Sequence, residues 1–340
     1  MATARLGSKE YNAAVEVVNA WRVCHAYPIN TFNATLRLKT KGYKNAVVAQ
    51  RLKRLPTIIY KLQRFSMRLS QMQDIGGVRA ILDTIEDVRK LQSQYEEKGR
   101  FSHEIRNVKD YINEPKPDGY RGVHIVFAYN NTLDRTGNAR QYKGLLVELQ
   151  IRTKWQHQWA TAVETVDVML QDKLKLGAGN AAWGELFQYV SSAFAIAENA
   201  PVLKTHEHYK TKQIFDRISY LSKRLNAVAL IEGWSSAART LQENHKTTRA
   251  HYLVIEQDLS AGIGRVKIFG YPKRQLNNAA EFYATLEKRY SNSTERNVVM
   301  VSMGDIRQLK TAYPNYFLDM NDFLEKLKAI IKTTKEQTGV

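Results

Sequence analysis

Residues 147–152 read Val-Glu-Leu-Gln-Ile-Arg, a strict alternation of apolar and polar side chains. A period of two places Val147, Leu149 and Ile151 on one face of a strand and Glu148, Gln150 and Arg152 on the other. The stretch from Gly144 to Arg152 is therefore expected as a half-buried strand. An acid, an amide and a guanidinium are costly to bury unpaired, so its polar face must be exposed or serve a site.

A strand needs neighbours. Gly76-Gly-Val-Arg-Ala-Ile-Leu82 reads as a glycine turn followed by a short strand, and Ile105–Ile112 and Gly122–Tyr129 as two more. Around them the period is helical. The first forty-five residues carry Ala13, Val15, Val18 and Trp21 ahead of an interruption expected at Pro28. Pro56 opens a further helix, with Ile59, Leu62 and Leu69 on one face and Lys61, Arg64 and Arg68 on another. Helices are expected at 84–98, 155–170 and 181–197, the last two packed on the sheet, and a single long one at 211–234. Near residue 250 a second block begins: strands at 251–257 and 264–270, a helix at 278–290, a strand at 297–302 and two short closing helices. The expected division is a helical region at 1–45, a catalytic domain at 46–205, a connector at 206–249 and a C-terminal domain at 250–340.

Charge narrows the function. Fifty-one Lys and Arg stand against thirty-three Asp and Glu, a formal net charge of +18 that favours a polyanionic partner. Residues 17–73 hold eleven Lys and Arg and no acid. A solvated surface, nucleotide phosphate and RNA backbone all fit that run. No stretch approaches eighteen apolar residues and Met1–Lys9 lacks a secretion signal's apolar core, so the cytosol, without a membrane, is the expected location. The one cysteine, Cys24, supports neither an intramolecular disulfide nor a thiolate zinc site.

Four clusters can carry chemistry. Arg51-Leu-Lys53-Arg54 with Lys61 suits a triphosphate, since guanidinium forks onto phosphate or stacks on a base and ammonium adds a point charge. Asp74, just before the glycine pair, can bring a carboxylate to a magnesium held above the sheet, or cap its own turn. In Pro115-Lys-Pro-Asp-Gly-Tyr-Arg-Gly-Val-His124 a stiff loop presents Lys116, Tyr120 and Arg121 together. Tyrosine there can stack on a purine, and His124 falls out of phase with Val123 and Ile125. The fourth is Glu148, Gln150 and Arg152, followed by His157. If the sheet sets Glu148 across from Asp74, the two acids form a magnesium pair and Glu148 can accept a hydroxyl proton.

In this order, Arg51-x-Lys53 with Lys61, Asp74-Ile-Gly-Gly-Val-Arg79, Lys116-Pro-Asp-Gly-Tyr-Arg-Gly-Val-His124 and Val147-Glu-Leu-Gln-Ile-Arg-Thr153 resemble the RelA/SpoT synthetase domain over roughly residues 40–200. The resemblance implies an α+β fold, a mixed sheet flanked by helices akin to nucleotidyltransferases, with a small C-terminal α/β region. It also implies transfer of the β,γ-pyrophosphate of ATP to a ribose 3′-hydroxyl, releasing AMP. Arg51, Lys53, Lys61 and Arg79 would then hold ATP. Asp74 and Glu148 would be the catalytic and Mg2+-binding acids. Lys116, Tyr120, Arg121, His124, Gln150 and Arg152 would line the acceptor. The tail, with Asn297–Ser302 and Ala312–Asp319, resembles the CapRel group of fused toxin–antitoxin proteins. That likeness implies restraint by the C-terminal region, with Tyr313, Tyr316 and Phe317 as contacts, relieved by a phage structural protein. The acid-free basic stretch and this tail together make the CCA end of tRNA the expected acceptor. The alternatives are GDP or GTP, as in (p)ppGpp synthesis, and a catalytically inactive RNA-binding module.

Overall fold

The computed structural model describes residues 7–53, 55–65, 67–97, 101–131, 137–170, 178–243, 250–258, 265–290, 293, 295–302 and 316–338. Two compact units divide the chain. The first comprises residues 1–114 and 121–154, the second residues 115–120 and 155–340.

In the first unit, α1 (Lys9–Cys24) and α2 (Ala26–Thr40) meet at His25, not at Pro28. Proline is tolerated there because it sits in the first turn of α2, where an N–H has no intrahelical acceptor to lose. Then come β1 (Val47–Leu52), α3 (Leu55–Arg64), β2 (Gly76–Leu82), α4 (Ile85–Glu96), β3 (Glu104–Asp110), β4 (Val123–Ala128) and β5 (Leu146–Thr153). The strands form one mixed sheet in the order β1-β2-β5-β4-β3. Only β2 and β5 run parallel; the other pairs are antiparallel.

The expected alternation in β5 is present and fixes the faces of the sheet. Val147, Leu149 and Ile151 are fully buried beside Val78, Ala80, Ile125 and Phe127. Phe32 of α2 and Tyr95 of α4 both reach Phe127, with ring centroids 5.4 and 6.0 Å away, and cover this apolar face. Three expectations change. Strand β1 was not anticipated. Gly76 and Gly77 lie inside β2 rather than in a turn before it. Helix α3 ends at Arg64, so Leu69 falls on a separate short 3-10 turn and Arg68 does not share the helix face of Lys61.

His103 is buried among Phe32, Phe101 and Tyr129, stacked on the first and last at 4.7 and 4.8 Å. Its Nδ1 accepts the Asn130 N–H at 2.9 Å. Burial pushes its imidazole down to about 4. A neutral ring buried in the fold that gains a proton more readily when unfolded stabilises above the unfolded value, about 6.5, and loses that contribution as pH falls towards 4. Urea denaturation is expected to lose about 3 kcal/mol over that window. His103→Gln should flatten the slope; an unchanged slope in the variant would assign it to other groups.

The second unit contains α5 (Lys154–Leu170, from Trp155 on), α6 (Ala178–Ala197), α7 (Thr211–Arg224), α8 (Ala227–Glu243), β6 (Tyr252–Asp258), β7 (Arg265–Tyr271), α9 (Leu276–Arg289), β8 (Arg296–Ser302) and α10 (Tyr316–Thr338). The expected helix over 211–234 is two helices, broken where Asn226 takes φ 49°, a left-handed conformation asparagine tolerates better than most residues. β6, β7 and β8 form an antiparallel sheet in the order β7-β6-β8. Among the described residues the chain closes on the 23-residue helix α10; residues 303–315, where one of the two expected helices would fall, lie outside them.

One core joins α5, α6, α7, α8, β6, β8 and α10, through Trp159, Phe187, Phe194, Ile218, Trp234, Ile255, Val299 and Phe323 among others. The units therefore cut the chain differently from the expected segments. Among the described residues, the helices from α5 on and the C-terminal block bury the same apolar surface. Among the described residues no helix is long and apolar enough to cross a membrane.

Candidate active site

The polar face of the first sheet gathers most of the candidate groups. Its register sets Arg51, Gly77, Glu148 and Val126 in one row, and Ala49, Arg79, Gln150, His124 and Lys109 in the next. Neighbouring strands thus deliver basic, amide, imidazole and acidic groups side by side.

Asp74 precedes β2. Its Oδ2 accepts from Lys53 Nζ at 2.5 Å and from Lys61 Nζ at 2.9 Å. Lys53 follows β1, its N–H donating to the Ile75 carbonyl at 2.7 Å, and Lys61 comes from α3. Burial raises the Asp74 carboxyl, and the two ammoniums outweigh it, so the group lies below the usual carboxylate range. Burial pulls the Lys53 ammonium down against the attraction of Asp74, assisted by Lys61 and Arg51.

Glu148 is held at both oxygens. His124 Nδ1 donates to Oε1 at 2.8 Å, and Gln150 Nε2 donates to Oε2 at 2.7 Å. Gln150 in turn accepts from Arg79 Nε at 3.2 Å, which links three strands in one hydrogen-bonded row. The Tyr111 ring stands edge-on to His124 at 5.3 Å. Burial raises the Glu148 carboxyl; contact with His124 and Gln150 more than offsets it, while the charge of Asp74 pushes upward. Gly77 faces Glu148 across β2 and β5, and a Cβ there would stand 3.0 Å from the Glu148 carbonyl oxygen. The glycine permits this close strand pairing beside the acid.

The tyrosine loop, residues 115–120, belongs to the second unit. The Lys116 N–H donates to the Tyr120 carbonyl at 3.2 Å and the Gly119 N–H to the Lys116 carbonyl at 2.8 Å, and the Lys116 ammonium lies 4.9 Å from the Tyr120 ring centroid. Gly119 adopts φ +98°, and a Cβ there would meet Trp159 at 2.9 Å and Ser191 at 3.0 Å. Gly119→Ala is expected to destabilise the protein by about 1–3 kcal/mol, from the φ and from overlap with an indole. An unchanged denaturation midpoint would show that the loop yields freely.

Other expected site residues lie differently. Arg121 is 3% exposed and donates to the Ile112 carbonyl at 3.3 Å, bracing the turn after β3. Arg152 is 2% exposed, opposite Ile81 in the sheet, and His157 is equally buried. Tyr313 lies outside the described residues; Tyr316 and Phe317 open α10, and their side chains lie outside them too. Sequence reasoning missed Tyr111 beside His124, and Gln188 and Ser191 of α6, which bond to the tyrosine loop. No local motif marks them.

Asp74 and Glu148 pass a limited test for magnesium. Among the described residues no group of three or more His, Cys, Asp or Glu could hold a metal on its own. Magnesium commonly takes one or two carboxylates and completes its shell with water and substrate phosphates, and these two acids feel each other's charge. The donor set fits an ion that arrives with phosphate.

Residues 50–167 match the family described as "Region found in RelA / SpoT proteins". The chain is similar to GTP pyrophosphokinase YjbM of Bacillus subtilis, 31% identical over 38% of this chain and 61% of that protein. It is also similar to a GTP pyrophosphokinase of Escherichia coli, 28% identical over 44% of this chain and 18% of that one. The matched segment thus spans less than two thirds of these relatives. Among solved structures it is similar to small alarmone synthetase 1 of Bacillus subtilis, at 23% identity and a TM-score of 0.44, over 53% of this chain and 92% of that one. Homology to the RelA/SpoT family is supported for this segment.

The expected tRNA acceptor is overturned, and with it the reading of a restrained translation inhibitor: these relatives are named for GTP, not for tRNA. Net charge alone does not specify an acceptor, and part of the basic stretch is engaged internally. Arg22 donates to the Lys53 carbonyl, Lys39 to the Gln94 carbonyl while lying over Tyr95, and Lys53 and Lys61 to Asp74. Four of the eleven cations of the acid-free stretch are therefore engaged within the fold or the site, while Arg37, Lys41, Lys44, Arg64 and Arg68 are exposed.

Proposed function

We propose that the chain is a pyrophosphokinase that moves the β,γ-pyrophosphate of ATP to the 3′-hydroxyl of GDP or GTP, releasing AMP. The observation that carries this reading is Glu148, fixed at both carboxylate oxygens by His124 and Gln150 and within reach of the charge of Asp74, which Lys53 and Lys61 hold. The names of the matched relatives support the acceptor.

Arg51, Lys53, Lys61 and Arg79 bind ATP: Arg51 at the adenine end, the other three around the phosphates. Asp74 and Glu148 would hold Mg2+, which when bound would neutralise phosphate charge. Glu148 accepts the proton of the 3′-hydroxyl as its oxygen attacks the β-phosphorus. The bond from that phosphorus to the oxygen bridging it to the α-phosphate breaks, and AMP leaves with the electron pair. Tyr120 stacks on guanine and Lys116 meets the acceptor's phosphates. His124 and Gln150 orient Glu148, while Arg121 and Arg152 act from buried positions. Positioning and cationic clamping supply most of the rate in such transfers. The tail's resemblance to the CapRel group rests on residues 297–302 and 312–319 and supplies no acceptor.

AMP release from ATP should depend on GDP or GTP, with CDP and UDP at background. Equal release with every nucleotide, or none with any, would sink the guanosine assignment.

A further inference from the structure

The tyrosine loop is braced from one helix. Gln188 Nε2 of α6 donates to the Pro117 carbonyl at 3.0 Å, and Ser191 Oγ, one turn on, donates to the Gly119 carbonyl at 2.6 Å. Ser191 is 2% exposed, so this bond is shielded from water. On α6, Phe187, Ser191 and Phe194 follow i, i+4, i+7 spacing and share one side. Both phenylalanines pack on Phe323 of α10, at centroid distances of 6.2 and 5.9 Å. Phe323 is 1% exposed. The Trp159 indole, which Gly119 abuts, donates to the Phe187 carbonyl at 2.8 Å.

Helix α10 is also tied to α5. Gln158 Nε2 donates to Asp322 at 2.9 Å and its Oε1 accepts from Lys326 at 2.8 Å, while the Lys326 ammonium lies 4.7 Å from the Trp155 ring centroid. The two helices that carry the loop's contacts, α5 through Trp159 and α6 through Gln188 and Ser191, are therefore both seated on the C-terminal helix. Tyr120 itself packs against the same core.

We infer that Ser191 and Phe323 are positioning residues for the acceptor: α10 fixes α6, and α6 fixes the backbone that aims Tyr120 and Lys116. The C-terminal helix is a working part of the acceptor site. This rests on the proposed role of the loop in binding guanosine nucleotide. Loss of a shielded neutral hydrogen bond costs about 1 kcal/mol, which is roughly a five- to tenfold loss of binding when felt wholly by the loop.

The test uses the full chain with Ser191→Ala, Phe323→Ala and the milder Phe323→Leu. Ser191→Ala and Phe323→Ala should raise KM for GDP about five- to tenfold and leave KM for ATP within about twofold, with Phe323→Leu recovering most of the loss. Hydrogen exchange supplies a readout that needs no turnover. Amides of Lys116 and Gly119 should exchange faster in both alanine variants, while those of β2 and β5 stay as in the parent. Parallel rises in both KM values, or unchanged loop exchange in folded Ser191→Ala, would overturn the inference. Faster loop exchange in the alanine variants of a parent protein that makes no AMP with GDP or GTP would instead keep the brace and remove the proposed function.

Discussion

Glu148→Gln is expected to cut AMP formation by at least about a hundredfold, the lower end of what a positioned general base contributes. The substitution keeps shape and removes the proton acceptor. It also disturbs a defined row: His124 can still donate to the new amide oxygen, but the amide nitrogen then faces Gln150 Nε2, donor against donor. Relief comes if the Gln150 amide turns over, at the cost of its bond from Arg79 Nε. The stability change should stay near 1 kcal/mol, because a largely buried charge, costly to keep, is lost along with the bonds it accepted. Near-parental turnover in a folded variant would remove Glu148 from the chemistry and leave it a structural link between β4 and β5.

The second large effect is at Asp74. Asp74→Asn should abolish measurable transfer and also destabilise, because it strands Lys53, whose side chain is 9% exposed and 2.5 Å from the carboxylate. Removing one partner of a largely buried pair leaves the other charge uncompensated. With Asp74 itself part-exposed and Lys61 the second donor, about 2 kcal/mol is expected rather than the full cost of a deep pair. The pH dependence identifies the cause. Lys53 already has its ammonium pulled down by burial, and without Asp74 nothing opposes that pull. The unfolded chain then binds the proton more tightly than the folded one, so the variant should regain stability as pH rises from neutral towards the ordinary lysine value. Denaturant midpoints at pH 7 and pH 9 separate the outcomes. A deficit that does not shrink with pH would assign the loss to hydrogen bonding alone.

Much of the first sheet was legible because its signals are local. Alternation at 147–152 fixed which side chains of β5 face the core, and the phase of His124 against Val123 and Ile125 placed it on the polar face. Strand β1 escaped because it lies at the sheet edge: Val47-Val-Ala-Gln-Arg-Leu52 has no buried residue, Gln50 being exposed and the rest half-exposed, and so no buried period to read. The break at Asn226 depends on one backbone angle. Lys53 and Lys61 looked like free phosphate ligands because their attachment to Asp74 spans 21 and 13 residues. The tRNA assignment rested on charge and on the tail, and neither identifies an acceptor; the relatives named for GTP overturn it. The brace on the tyrosine loop was least visible, since Ser191 lies 72 residues from Gly119 and resembles any small helix residue.

The most direct test of the account supplies ATP labelled in separate reactions at the α- and γ-phosphates, with Mg2+ and GDP, to the full chain. The account predicts γ-label in a guanosine product, α-label only in AMP, and AMP and product formed in equal amounts. Label from γ released as inorganic phosphate or pyrophosphate, with the guanosine nucleotide unchanged, would contradict it.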